Sequence, residues 1–127
     1  MNFETLKKYL SGKPAAVEEF PFGDDVMVFK VMGKMFALIS LNDDPLRMNL
    51  KVEPENGDML RTIFSSITPG YHMNKKHWIT VELNGEIKDK NLRGIIDDSY
   101  NLVVSKLTKK QKAELEVLKR NKLSGLI

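Results

Sequence analysis

The chain contains no cysteine, which excludes disulfides, thiolate catalysis and cysteine-ligated zinc. Histidine is scarce, with two residues, and there is one tryptophan. No apolar run approaches the roughly 20 residues needed to cross a bilayer. The opening Met1-Asn2-Phe3-Glu4-Thr5-Leu6-Lys7-Lys8 has no apolar signal-peptide core, so a cytoplasmic protein without a membrane partner is expected. The eight glycines stand singly, leaving no phosphate-cradling glycine-rich loop and no Gly-x-Ser-x-Gly nucleophile elbow.

What is present fits one domain over 127 residues, with 42% hydrophobic residues, enough to bury a core without staples. The net charge of +3 is unevenly spread. Between 106 and 122, seven basic residues face only Glu114 and Glu116, a local +5 that leaves −2 for the rest. That segment is either a solvated helix face or an attractor of polyanions.

The patterning alternates between the two periods. Phe3, Leu6 and Leu10 predict a helix over 2–10, stopped by Ser11-Gly12-Lys13-Pro14. A connector over 15–25 follows, where Phe20 and Phe22 are expected to anchor in the core; a shaped wall beside a site is the functional alternative. Val26-Met27-Val28-Phe29-Lys30-Val31 and Met35-Phe36-Ala37-Leu38-Ile39-Ser40 predict a hairpin turning at Gly33. Over 46–52, Leu46, Met48, Leu50 and Val52 alternate with Arg47, Asn49 and Lys51, a strand with a net-positive outer face. Leu60, Ile63, Phe64 and Ile67 predict a helix ending before Pro69-Gly70. A fourth strand over 77–83 puts Ile79, Val81 and Leu83 inward, and Trp78 outward with Arg47, Asn49 and Lys51. Asp89 is expected to cap a long helix with the stripe Leu92, Ile95, Ile96, Ser99, Leu102, Val103 and Leu107. Thr108-Lys109-Lys110-Gln111 reads as a capping box opening a basic surface helix over 108–122, followed by a short tail. The fold class expected is α+β, an antiparallel sheet of four or more strands packed by helices.

Catalysis finds little support. His72 and His77, five apart with Lys75 and Lys76 between them, match no zinc spacing. No serine is set in a triad pattern, and the acid pairs Asp24-Asp25, Asp43-Asp44 and Asp97-Asp98 read as turn and cap residues. A protein that is not an enzyme, with no cofactor or metal, is expected. Recognition fits better. Thr68 to Trp78 gathers both histidines, two lysines, Tyr71 and the tryptophan on a turn leading into a strand, an inventory of cations and π-faces suited to nucleic acid; a charged hairpin lip with one aromatic packed under a lysine stem accounts for the same residue types equally well.

Several strings together resemble one family. They are Pro21-Phe22-Gly23, Gly33-Lys34-Met35-Phe36-Ala37, Leu50-Lys51 before Pro54-Glu55, Pro69-Gly70-Tyr71-His72-Met73-Asn74-Lys75-Lys76-His77-Trp78, and Ser99-Tyr100. This is similar to the MmcQ/YjbR family of small bacterial proteins, from the first helix to about Lys106. The resemblance implies a compact α+β fold similar to the frataxin homologue CyaY, and a DNA-binding role sometimes described as a double-wing arrangement. It implies Lys51, His72, Asn74, Lys75, His77 and Trp78 as surface candidates, to which alternation and proximity add Arg47 and Lys76. The expectation is a monomeric module that binds DNA weakly and without sequence preference. The alternative is a non-catalytic module for a protein or a small anionic ligand.

Overall fold

The computed structural model describes residues 1–123, with side chains to 121; of the tail expected over 123–127, Leu123 instead ends the last helix and the rest lies outside the described residues. Ten elements follow in order: α1 (Phe3–Ser11), β1 (Ala16–Glu19), β2 (Val26–Val31), β3 (Lys34–Ser40), β4 (Arg47–Lys51), α2 (Pro54–Ile63), β5 (Ile67–Pro69), β6 (Trp78–Glu82), α3 (Asp89–Ser105) and α4 (Lys109–Leu123). The strands form one antiparallel six-stranded sheet ordered β1-β2-β3-β4-β6-β5.

The β2–β3 hairpin turns tightly because Met32 and Gly33 both take positive φ, 49° and 81°, the handedness that matches strand twist. Pairing then shifts: Phe29 opposes Ala37 and Lys30 opposes Met35. The extra residue, Phe36, turns inward and is fully buried, meeting the Tyr100 ring edge-on with centroids 5.2 Å apart. Met35 is thereby left on the opposite face.

Leu6 and Leu10 of α1 and the stripe Leu92, Ile95, Ile96 and Val103 of α3 close the core on one side of the sheet. Inside that stripe Ser99 is buried; its hydroxyl donates to the Phe36 carbonyl at 2.6 Å and accepts from the Lys51 amide at 2.8 Å. One side chain thus fastens α3 to two strands and leaves no polar atom orphaned there. The predicted capping box forms reciprocally between Thr108 and Gln111, with both bonds at 3.1 Å. α4 lies on the surface as expected, fixed by Leu115, which is buried in the core.

Four expectations are corrected. A strand, β1, stands where a connector was expected. Phe20 and Phe22 are 41% and 62% exposed rather than core anchors, because β1 already brings the chain to the sheet edge and the 20–25 turn swings outward. α2 stops at Ile63, which is 58% exposed; the Phe64 backbone is extended, and Ile67 is buried in β5. Lys88 rather than Asp89 is the N-cap of α3, and Asp89 instead receives the N-terminal ammonium at 2.9 Å. No helix among the described residues is long and apolar enough to cross a membrane.

Candidate functional site

The loop between β5 and β6 folds back on the strand that follows it. The Gly70 amide donates to the Trp78 carbonyl at 2.8 Å. A Cβ at position 70 would sit 2.7 Å from the Trp78 Cβ, so glycine permits this approach. Asn74 builds the far end. Its carbonyl accepts from the amides of His77 (3.1 Å) and Trp78 (2.9 Å), and its side-chain oxygen accepts from the Lys76 amide at 3.0 Å. Asn74 is thus the turn-former its residue type favours. His72 takes a φ of 59°, a left-handed conformation that costs a non-glycine residue about 1 kcal/mol.

The loop is tied across the outer sheet face. The Tyr71 amide donates to the Thr80 hydroxyl at 2.9 Å, which donates to the Asn49 side-chain oxygen at 2.5 Å, and the Asn49 amide nitrogen reaches the Tyr71 carbonyl at 3.3 Å. The outer face is therefore partly covered. Val28, Leu38 and Trp78 form a second apolar cluster there, flanked by Val26, Met35 and Met73.

Trp78 does share its face with Lys51, directly opposite it in register, but the indole is 8% exposed and offers no open platform for stacking. Burying a tryptophan of ~200 Å² is worth about 5 kcal/mol at most, whereas the Lys51 ammonium 5.9 Å above the ring adds only about 0.5–1 kcal/mol at such a site. Packing therefore dominates the role of Trp78.

The candidate residues divide between two concavities. A groove of about 390 Å³ runs between the loop and the α3 C-terminus, lined by Lys51, Glu53, Asn74, His77, Trp78 and Lys106 among others. A separate cleft of about 320 Å³ lies over the outer face. Phe22, Val26, Leu38, Tyr71 and Met73 supply its apolar wall, and Arg47, Asp43, His72 and Asn49 are among its polar groups. Lys75 and Lys76 line neither; Lys75 turns toward the Gly70 carbonyl at 3.5 Å. Among the described residues, Arg47, Lys51, Lys75, Lys76 and Lys106 form no ion pair.

Two participants, Lys106 and Ser99, were not proposed for the site from the sequence. Lys106 joins the groove because α3 ends beside β4. Ser99 positions Lys51 through its backbone, and a serine within an apolar stripe was the available signal. Phe22 was weighed as a wall, and its exposure on the cleft fits that reading. No cluster of three histidine or acidic side chains among the described residues could hold a metal ion.

The chain is similar to known proteins over most of its length. The Escherichia coli O157:H7 protein YbdF is 45% identical over 108 residues, 84% of this chain and 88% of the relative. YjbR of Escherichia coli strain K12 is 30% identical over 112 residues, 88% of this chain and 95% of the relative. The crystal structure of Deinococcus radiodurans protein DR2400, with family-model domain DUF419, superposes with a TM-score of 0.83 at 44% identity, covering 89% of this chain and 86% of that one. A Pseudomonas syringae protein superposes with a TM-score of 0.69 at 34% identity, covering 80% and 98%. The YjbR family model matches residues 11–102, from the end of α1 through most of α3, and by that match and these relatives the chain belongs to the YjbR family.

Proposed function

We propose that this protein is a cytoplasmic, non-catalytic DNA-binding module, and that the groove between the 70–77 loop and the α3 C-terminus takes the phosphate backbone. The observation that carries the reading is the meeting of Lys51 and Lys106 with His77 in one concave surface. Lys75 and Lys76 are exposed on the adjoining loop, and none of these four lysines is neutralised by an ion pair among the described residues. Phosphate contacts of this kind carry affinity without sequence information. The burial of Trp78 takes its ring out of base stacking, and Tyr71 lies outside this groove, which favours backbone contact over base readout there. Glu53 on the lining limits how deeply an anion settles.

The test is fluorescence anisotropy with a labelled duplex. With three or four phosphate contacts, affinity should fall roughly 40- to 150-fold between 50 and 200 mM salt. Lys51→Gln with Lys106→Gln keeps the apolar stems and should lower the salt slope by about 2. Absence of binding at low salt, or an unchanged slope in the double variant, would refute the assignment.

The concavity of the groove favours a second reading, a small phosphate-bearing ligand held by the same cations. A duplex-length series separates the two. Affinity rising with length supports DNA; full competition by inorganic phosphate or a mononucleotide, with no dependence on length, supports the small ligand.

A further inference from the structure

The geometry points to a second, independent site: we infer that the cleft over the outer sheet face binds a small aromatic carboxylate, with its ring against Leu38 and Met73 and its carboxylate on Arg47. Four observations converge there. The wall is built from apolar side chains on separate elements: Val26 from β2, Leu38 from β3, Met73 from the loop and Phe22 from the 20–25 turn. Its volume of about 320 Å³ falls at the small end of the ~300–1,000 Å³ typical of small-molecule pockets.

Phe22 and Tyr71, 62% and 61% exposed, both project at this cleft although neither contributes to the core. Large apolar groups left in water around a concave surface mark a binding site more often than scattered exposure does. The loop that brings Tyr71 there holds His72 in the left-handed region, at a φ of 59°. The two rings touch with centroids 3.9 Å apart. Local backbone strain maintained by the surrounding bonds is characteristic of ligand clamps. The Asn49–Thr80–Tyr71 hydrogen bonds are what maintain it here.

Charge then selects the ligand. Arg47 is exposed and has no ion-pair partner among the described residues, although Asp43 lies on the same lining. Glu82 stands opposite Arg47 in register without an ion pair to it, and the unpaired guanidinium presents a planar fork that matches a carboxylate with two parallel bonds. Asp43 makes the cleft poor for a polyanion, since a phosphate chain would meet its negative charge. One flat, apolar, singly charged anion satisfies both the wall and the arginine. The site shares no lining residue with the lysine groove, so it stands or falls apart from DNA binding.

The experiment is a heteronuclear NMR titration of the full chain with 3-phenylpropionate, 3-phenylpropan-1-ol and phenethylamine, which share a ring and differ in charge. The expected result is shifts confined to the amides of Leu38, Arg47, Tyr71, His72 and Met73 and to the 20–25 turn. The carboxylate should bind in the millimolar range, on the order of tenfold tighter than the alcohol. Arg47→Gln should reduce the carboxylate to the affinity of the alcohol and leave the alcohol unchanged. Phe22→Ala, at an exposed position, should weaken all three together. Tightest binding by the amine would make Asp43 the anchor and overturn the proposal. So would equal binding by acid and alcohol, or no cleft shifts at millimolar ligand.

Discussion

Gly70 and Trp78 are a matched pair. The first Cβ atom added at position 70 meets the Trp78 Cβ at 2.7 Å and the Trp78 carbonyl oxygen at 2.9 Å; the second of these is backbone and cannot rotate away. Gly70→Ala must therefore push the loop off β6, and overpacking of this kind costs roughly 1–3 kcal/mol. The urea midpoint should fall at an unchanged slope. Because Trp78 is the single tryptophan, its fluorescence should also shift to longer wavelength as the Met73 cover loosens. A variant with the parent midpoint and spectrum would refute the account. The same pair shows what could and could not be read from residue types. Alternation correctly placed Trp78 on the face of Lys51. It did not show that the face was covered, although Val28 and Leu38 already broke alternation in β2 and β3. Strands apolar on both faces are strands buried on both faces.

At the scale of elements, α4 is the least anchored. Its fully buried side chain among the described residues is Leu115, at 1% exposure, and the Gln111 amide nitrogen reaches the Met32 carbonyl at 3.5 Å. Leu115→Ala should cost about 2–5 kcal/mol of docking and let α4 open while the sheet stays folded. Hydrogen exchange should then lose protection over 109–121 and keep it in β3 and β4; equal loss in both would mean that α4 belongs to the global unfolding unit. Long elements were legible in the sequence because they repeat their period several times, as α3, α4 and β4 do. The short edge strands were not. β1 holds Glu18 and Glu19 in four residues, too few to show alternation. Ile67 stands three residues after Phe64 and four after Ile63, a helical spacing that the extended backbone at Phe64 interrupts. The cleft was illegible for another reason: its walls come from four segments that only the sheet order brings together.

The molecule as a whole is closed by hydrogen bonds between α3 and its N-terminal half, and one of them ties stability to alkaline pH. The Tyr100 hydroxyl donates to the Pro14 carbonyl at 2.6 Å. Burial, reinforced by the negative charge of Glu116, pushes its pKa up from 10.0 to about 12. The folded chain thus holds this proton where the unfolded chain releases it. The contribution is complete below pH 10 and is lost as pH rises to about 12, a span worth about 2–3 kcal/mol. Tyr100→Phe should cost about 1 kcal/mol at neutral pH through the lost bond. It should also flatten the decline between pH 10 and 12, as read from urea midpoints across that range. An equally steep decline in the variant would assign the alkaline loss to other groups.

The order of the sheet carries one more consequence. An open sheet has two borders where backbone donors and acceptors face outward, and such borders can recruit further strands and seed aggregation. Here the borders are β1 and β5, four and three residues long. The first carries Glu18 and Glu19, charged side chains paired with Lys7 and Lys30, which an added strand would have to desolvate. The second ends in Pro69, which has no amide hydrogen to offer. The longer apolar strands, β2 and β3, lie inside the sheet, where their backbones are already paired on both sides. The short, awkward border strands that were hardest to recognise are those that guard the sheet against adding a foreign strand.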